Sequence, residues 1–516
     1  MIEEKTRIGK DVIESLTLAM YDDPKFIYRE YIQNSADQID IAFEKGLINS
    51  KDECKIEIKI NKFERSISIT DNGTGVQAEK VLPVLKSIAQ GVKDRTKYKG
   101  FRGIGRLGGL AYCDRLIFET SYTGEEIKSK LIWNAKELKQ IINNRNKKED
   151  AADVIDTITS LETQPAKKEE RYFKVILENV SNDILLNKEK IYDYLSMVAP
   201  VPYKKGFFFQ DKIYEKAKEY NYTIDEYNIY INNEQLFKEY TTSIYEGEKH
   251  NKRKIDEIFD IEFFDIKDKN DQLLCWGWHS VSSFVKQIPS VNIARGIRLR
   301  KGNIQIGDEK QLVKLFKEPR GSFYFFGEVH AVSSELIPNA RRDYFTENNT
   351  FKIFEKQLKE KFKKLHELYY YSSQVRSEKK KIEKLGALTE EFKQKAEKGF
   401  TKPKEQKEYE EKFRKAKEEA EKAKEKIEKL KGKAETDKAK SKIVEKITKD
   451  IEDKLPDKVE IPENNNEKPK LLTDNLSKHN RAERKLISKI LSIIDNVLPK
   501  ELSDIVKQKI IEELNK

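Results

Sequence analysis

Residues 29–40 read REYIQNSADQID, and this stretch places polar side chains on the apolar side of an amphipathic helix. At about 100° per residue, Glu30, Asn34 and Asp37 fall on one narrow arc, which they share with the apolar Ile41. Burying polar groups at such positions is costly unless something pairs with them. The stretch therefore predicts a buried polar arc whose partner has to be found elsewhere.

Composition limits the class of protein. The chain has 516 residues, with 101 Lys and Arg against 90 Asp and Glu, so its formal net charge is +11. This length suggests about three domains, and the mildly basic balance permits contact with nucleic acid without requiring it. Three scattered cysteines argue against a disulfide framework and a structural zinc site. Because the chain shows no signal peptide and no apolar run of about 18 residues, we expect a cytoplasmic protein with no membrane partner.

The first two thirds of the sequence predict an α+β protein. Residues 1–200 mix helical periods with two alternating strands of a hairpin, marked by Ile56, Ile58, Ile60, Ile67 and Ile69. Residues 201–345 alternate aromatic and β-branched residues. This second pattern predicts another α+β domain with a mostly stranded core.

Residues 346–454 are rich in Lys and Glu and contain few helix breakers. Apolar residues recur there with alternating spacings of 4 and 3, the pattern of a coiled coil; the series is Tyr409, Phe413, Ala416, Ala420, Ala423, Ile427 and Leu430. The segment KGFTKPKE at 398–405 contains Gly and Pro, where one helix should end and another begin. The simplest interpretation is an antiparallel hairpin of two long helices.

Two smaller parts follow. Residues 455–475 contain several prolines and a run of asparagines, which predicts a linker. Residues 476–516 contain two helical segments, separated by Pro499 and each with an apolar face. Two helices cannot bury such faces by themselves, so we expect them to pack on a second copy of the chain as a dimerisation module.

Two glycine-containing segments offer places for a ligand. DNGTG at 71–75 follows a predicted strand and presents Asp71 beside backbone, at Gly73 and Gly75, that a flat group can approach closely. GFRGIGRLGG at 100–109 is followed by an apolar run, and glycine-rich backbone at the start of a helix offers N–H groups to phosphates. Together, these segments predict a phosphate-bearing ligand.

Phosphates bring Mg²⁺, and Mg²⁺ needs only one or two protein oxygens. The amide oxygen of Asn34 can be one of them. Glu30, one helical turn away, is then placed to orient and deprotonate an attacking water. The polar arc thus acquires a metal, a water and a nucleotide as its predicted partners.

The order and spacing of these segments resemble the GHKL ATPases, the superfamily of gyrase B, HtpG-type heat-shock chaperones, histidine kinases and MutL, with the MORC proteins as relatives. The similarity is greatest to HtpG-like and MORC-like members. The first family motif, a helix with Glu, Asn four residues on and Asp three further, matches Glu30, Asn34 and Asp37. The second, Asp-x-Gly-x-Gly, matches residues 71–75, and the resemblance implies that Asp71 receives the adenine amino group of ATP.

The third family motif, Gly-x-x-Gly-x-Gly, matches residues 100–105. Residues 76–102 then correspond to the lid, whose closure over nucleotide is a plausible gate on turnover. The contacts to the nucleotide that the resemblance implies in this region are Gly100, Gly103 and Gly105, with Ile104 between the last two. The basic residues around the lid, Lys97, Lys99, Arg102 and Arg106, could contact phosphates or be solvated. For Lys99 and Arg102 we expect a phosphate contact.

The later motifs match less closely. Chaperone and gyrase types carry a Gly-Thr pair before a strand, whereas this chain has Tyr172 and Phe173, so the hydroxyl usually supplied near the adenine is missing. Farther on, residues 337–343, IPNARRD, resemble a middle-domain segment that supplies a catalytic arginine to the γ-phosphate. Arg342 is its counterpart, with Arg341 as the alternative.

The resemblance implies an ATP- and Mg²⁺-dependent ATPase with a GHKL α/β sandwich at 1–200 and a transducer-like middle domain at 201–345. The coiled-coil hairpin, linker and helical C-terminus complete it. We expect an ATP-gated homodimeric clamp that acts, like a chaperone, on a protein client. One alternative is a MORC- or gyrase-like clamp on DNA that works with a separate nuclease or helicase in defence or repair. Another is a nucleotide-sensing scaffold without turnover, which the presence of Glu30 disfavours.

Overall fold

The computed structural model describes residues 8–17, 23–88, 104–247, 251–449 and 470–516. The chain divides into two compact units, residues 1–366 and 367–516. The first contains two sheets with helices around them, and the second consists mainly of helices. The mixed α+β class predicted from the sequence is therefore confirmed. Within these described ranges, no helix combines the length and the apolar character needed to cross a membrane.

Helices and strands are mixed up to residue 331, and the described elements after it are helical. The helices are α1 (Asp11–Thr17), α2 (Phe26–Glu44), α3 (Val81–Leu85), α4 (Ala135–Asn143), α5 (Ala151–Ile158), α6 (Lys188–Val198), α7 (Gln210–Glu219), α8 (Asn349–Lys398), α9 (Pro403–Ala434), α10 (Lys438–Thr448), α11 (Arg481–Val497) and α12 (Lys500–Asn515). The strands are β1 (Lys55–Asn61), β2 (Ser66–Asp71), β3 (Arg115–Ser121), β4 (Ile127–Asn134), β5 (Thr159–Pro165), β6 (Tyr172–Glu178), β7 (Asn228–Ile231), β8 (Glu234–Gln235), β9 (Ser243–Glu246), β10 (Arg253–Lys267), β11 (Leu273–Ser282), β12 (Gly296–Lys301), β13 (Ile304–Ile306) and β14 (Phe326–Ala331).

The first sheet has eight strands in the order β5-β4-β3-β6-β2-β1-β7-β8. The predicted hairpin is confirmed, since β1 and β2 are antiparallel neighbours with Ile58 opposite Ile69. Both side chains are buried because alternate residues of a strand face one side of the sheet. At the other side of β1, β7 pairs with it in parallel. The sheet therefore takes two of its strands from the chain after residue 200.

Helix α2 packs on β2 and contributes a large part of the first core. Ile32 and Ala36 are buried there because they recur at helical spacing. The polar arc lies at the edge of this core: Asp37 is buried, whereas Glu30 and Asn34 are half-buried. Two of its three side chains thus keep access to solvent.

The second sheet has six strands in the order β13-β12-β14-β11-β10-β9. Its interior holds a buried charged cluster in which the Glu328 carboxylate contacts Arg300 Nε at 2.6 Å and Lys238 Nζ at 3.1 Å. His330 Nε2 lies 3.0 Å from the same carboxylate. Removing one partner from such a group leaves a charge buried and unpaired, so the cluster specifies how β12 and β14 pack.

In the second unit, α8 ends at Lys398 and α9 begins at Pro403, within the segment where the sequence predicts a break. The two helices run antiparallel, because Phe392 packs near Tyr409 while the Tyr371 hydroxyl donates to the Leu430 carbonyl oxygen at 3.0 Å. The predicted apolar series is buried at Tyr409, Phe413, Ala416, Ala420, Ala423 and Ile427. Most of the predicted linker lies outside the described residues.

Candidate active site

Helix α2 brings an ion pair to the centre of the candidate site. Arg29 is almost completely buried, and its Nη2 lies 3.3 Å from Glu30 Oε1. The same nitrogen donates a hydrogen bond to the carbonyl oxygen of Arg341 at 3.1 Å. The ring of Phe26 lies 4.5 Å from the Arg29 guanidinium. One buried arginine therefore joins the candidate general base to the loop that carries the candidate catalytic arginine.

Neighbouring polar groups on α2 are not all satisfied. Gln33 is fully buried, and neither its amide oxygen nor its amide nitrogen has a hydrogen-bond partner among the described residues. Buried side-chain amides are normally paired, so such a group calls for an explanation. It stands one residue before Asn34, on the helix that carries the predicted nucleotide contacts.

Gly105 lies directly against the Glu30 carboxylate. A Cβ at residue 105 would be 2.3 Å from Glu30 Oε2, far closer than any real contact, so only glycine leaves this carboxylate where it is. The end of the third motif is thus brought to the first, 75 positions away in the sequence. Ile104 precedes this contact, whereas Lys99, Gly100, Arg102 and Gly103 lie outside the described residues.

The DNGTG segment forms a tight turn beside α2. Asp71 is buried, and its Oδ1 accepts a hydrogen bond from the Gly73 N–H at 3.0 Å. The Thr74 hydroxyl donates to Gln38 Oε1 at 2.7 Å. Gly75 adopts φ +69°, and a Cβ there would lie 1.9 Å from a carbonyl oxygen of β3. Glycine is therefore required at this position by both backbone conformation and close packing.

Arg171 directly precedes β6, the strand next to β2, and holds this turn in place; sequence reasoning missed it. Its guanidinium donates to the carbonyl oxygens of Asn72, Gly73 at 3.0 Å and Leu47 at 2.7 Å. These bonds span 98 to 124 positions in sequence, so no local pattern signals them. The one available hint is the position of Arg171, next to the divergent fourth motif.

The fourth motif is accommodated by neighbouring strands. Asp71, Phe173 and Thr120 are opposite one another on β2, β6 and β3, so their side chains face the same side of the sheet. The Phe173 ring stacks on Phe118 with centroids 5.9 Å apart. The Thr120 hydroxyl accepts from the Val76 N–H and donates to a β6 carbonyl oxygen, each at 2.9 Å. A hydroxyl thus stands two strands from Asp71, where it ties the turn to the sheet.

The two candidate arginines differ in environment. Arg341 is exposed, whereas Arg342 is only 6% exposed and adopts φ +53°. Burial, together with the nearby Arg342 charge, lowers the pKa of Lys301 to about 8. Arg342 is therefore a buried charge in the neighbourhood of Lys301 on β12, while Arg341 stands at the surface of a cleft of about 710 Å³ that Phe26 also lines.

Comparison with known proteins agrees with this geometry. Residues 27–164 match the model of the family described as histidine kinase-, DNA gyrase B-, and HSP90-like ATPase. Similar proteins include the chaperone protein HtpG of Buchnera aphidicola, 27% identical over 143 residues, which are 24% of this chain and 23% of the relative. HtpG of Polaromonas naphthalenivorans is 24% identical over 139 residues, or 24% of this chain and 22% of the relative. HtpG of Clostridium perfringens is 28% identical over 133 residues, which are 23% of this chain and 21% of the relative.

The match thus covers less than a quarter of the length of these relatives. The family match at residues 27–164 includes nearly all of α2, the DNGTG turn and the stretch around Gly105, the elements that form the site. Residues 27–164 of this chain therefore match the GHKL type of ATPase domain, and the chain is similar to HtpG chaperones over a stretch of comparable length.

Proposed function

We propose that this chain binds ATP and hydrolyses it in a Mg²⁺-dependent reaction at the site around Glu30. The observation that carries the proposal is the approach of Gly105 to the Glu30 carboxylate, because it joins the first and third motifs of the family around one acidic group. The residues also fit a nucleotide with its metal. Glu30 and Asn34 are half-buried oxygen donors on one arc, and the buried amide of Gln33 has no hydrogen-bond partner in the described part of the protein.

Each residue has a distinct role in this proposal. Glu30 would accept a proton from the attacking water, and Asn34 would offer its amide oxygen to Mg²⁺. Asp71 would accept the adenine amino group, with Arg171 holding its turn in place. Bound Mg²⁺ would neutralise the charge that develops on the phosphates. Further nucleotide contacts are proposed from the motifs alone, at Asp37, Gly73, Gly75, Lys99, Gly100, Arg102, Gly103, Ile104 and Gly105.

The loop at residues 339–343 would supply an arginine to the γ-phosphate. A guanidinium suits this task because it is planar and permanently charged. Family resemblance favours Arg342. Arg341 is favoured by its exposed side chain and by the bond between its carbonyl oxygen and Arg29. We retain both as candidates, since substitution separates them.

A homodimer is supported by the C-terminal helices. One face of α11 and one face of α12 pack together in a small core, where Leu491 and Ile511 are buried. Six large apolar side chains on other faces are 44–72% exposed: Leu486, Ile490, Ile493, Val497, Leu502 and Ile505. Those on α11 are spaced by 4, 3 and 4 residues, as in a seam between paired helices. An apolar patch of this kind is typical of an interaction site, and a second copy of the chain would cover it.

The client of such a clamp would be a protein. The relatives reported above are named as chaperones, which favours a protein client over DNA. Because this similarity covers about a quarter of the chain, the identity of the client depends on the remainder of the protein.

Hydrolysis is tested by replacing the proposed base. Glu30→Gln should retain ATP binding while phosphate release falls by about 10²-fold or more, the scale of a lost general base. Glu64→Gln, at an exposed hairpin turn, is the matched control and should behave as wild type. Asp71→Asn should abolish ATP binding measured by calorimetry. Unchanged turnover in Glu30→Gln, or unchanged affinity in Asp71→Asn, would show that the site is assigned wrongly.

A further inference from the structure

Arg106 follows Gly105 directly, at the point where the third motif touches Glu30. Its Nη2 donates to the carbonyl oxygen of Ser87, just beyond the end of α3. Its Nε is buried and has no hydrogen-bond partner among the described residues. In the part of the chain that the structure describes, no carboxylate forms an ion pair with this guanidinium. Arg106 is thus a cation that its described surroundings do not neutralise.

This arrangement is unfavourable for the protein alone. Arginine remains charged in proteins and offers five N–H donors. Transferring such a group from water without a counter-ion is costly. Burial lowers the pKa of Arg106 to about 10. The guanidinium remains protonated at neutral pH. A negatively charged ligand could therefore supply the counter-charge.

Arg171 provides the internal comparison. It also lies beside the site without an ion pair in the described chain, but it donates to three carbonyl oxygens, from residues 47, 72 and 73. Its hydrogen-bonding capacity is largely used, which identifies it as a tie between segments of the protein. Within the described ranges, Arg106 donates to one carbonyl oxygen. The difference separates an arginine that holds a turn from one that has donors left for a ligand.

We propose that Arg106 binds the polyphosphate of the nucleotide. The inference rests on the proposed function, which puts the phosphates at the Gly105 segment and the adenine at Asp71. A phosphate oxygen would supply the missing counter-charge, and guanidinium groups pair with phosphate through strong, charge-assisted hydrogen bonds. The bond to Ser87 would fix the direction of the side chain. The sequence alone left the role of Arg106 open between phosphate contact and solvation.

The experiment measures binding of ATP, ADP, AMP and adenosine by calorimetry to the full chain. Arg106→Met removes the charge and keeps an unbranched side chain suited to a buried position. Its affinity for ATP and ADP should fall by about 10-fold or more, the scale of a lost charged hydrogen bond. Adenosine affinity should stay unchanged, and Arg106→Lys should recover part of the loss. The unfolding temperature without nucleotide should not fall, because an uncompensated charge has been removed.

Two control variants separate the explanations. Arg171→Met acts on the adenine side and should weaken all four ligands to a similar extent. Arg115→Met, which removes an exposed ion pair with Glu178, should weaken none of them. If Arg106→Met lowers the affinity for adenosine as much as that for ATP, or lowers the unfolding temperature, Arg106 is only a structural tie and the inference is overturned. It is equally overturned if ATP affinity is unchanged while the wild-type chain binds ATP. If the wild-type chain binds no nucleotide at all, the proposed function itself fails.

Discussion

The guanidinium of Arg29 donates a hydrogen bond to the carbonyl oxygen of Arg341, which lies 312 positions later in the sequence. The donating nitrogen also contacts the Glu30 carboxylate at 3.3 Å. A movement of the loop at 339–343 would therefore change the electrostatic environment of the proposed base. The contact joins helix α2 to the loop that follows β14, at the place where chemistry is proposed.

Because Gly105 contacts Glu30, adding one methyl group at residue 105 should lower turnover without lowering stability. In Gly105→Ala, the new Cβ would overlap Glu30 Oε2, and the flexible end of that side chain can move away without disturbing backbone. We expect phosphate release to fall by about 10-fold or more, because the base is displaced, while the unfolding temperature stays near that of wild type. Gly206→Ala is the control, since nothing lies within 4 Å of a Cβ there. Normal turnover in Gly105→Ala would contradict the assigned geometry.

The two candidate arginines are separated by comparing turnover with stability. Arg341 is exposed, so Arg341→Ala should leave the unfolding temperature unchanged. If it supplies the phosphate contact, phosphate release should fall by about 10³-fold, the lower end of the range for a lost arginine finger. Arg342→Ala removes a buried side chain beside Lys301 and should change stability. The opposite result, a stable Arg342→Ala protein without turnover, would identify Arg342 as the catalytic residue.

Two buried histidines predict acid sensitivity of the second sheet. Burial lowers the pKa of His279 and of His330 to about 4. Between about pH 6.5 and 4 the unfolded chain takes up these protons and the folded chain does not, so the free energy of unfolding falls as the pH falls. Each histidine would contribute up to about 3 kcal/mol to this loss.

Urea unfolding at about pH 7 and about pH 4.5 measures this effect. Trp276 stacks on His330 with centroids 4.5 Å apart, so tryptophan fluorescence reports on the region. His279→Gln and His330→Gln should each make the free energy of unfolding less dependent on pH, because one protonation step is removed. Equal pH dependence in both variants and wild type would show that neither imidazole titrates with unfolding in this range.

The exposed apolar face of α11 predicts a concentration-dependent dimer. Ile490→Glu introduces a charge into this face, and burying that charge in an interface is strongly unfavourable. Sedimentation should show a dimer for wild type and a monomer for the variant. Lys489→Glu is the matched control for charge at a neighbouring exposed position. A monomeric wild-type chain at micromolar concentration, with or without ATP, would remove this face as a dimer interface.

Local patterns in the sequence were sufficient for several elements. The hairpin of β1 and β2 follows from alternating isoleucines, and the break between α8 and α9 follows from Gly and Pro at 398–405. Motif residues on α2 could be placed because helical spacing puts them on one arc. These properties depend on residues a few positions apart, so periodicity and turn chemistry determine them before any packing is known.

Only the tertiary structure decided which distant segments these elements contact. The pairing of β7 with β1, the hold of Arg171 on Gly73, the contact of Gly105 with Glu30 and the bond from Arg29 to Arg341 all join distant segments. No local propensity encodes such a contact, because its energy depends on burial, direction and distance after the chain has packed. The sequence by itself therefore determined the motifs of an ATPase domain and the order of its local elements. Packing determined which carboxylate, glycine and arginine meet, since each depends on atoms that come close only in the folded chain.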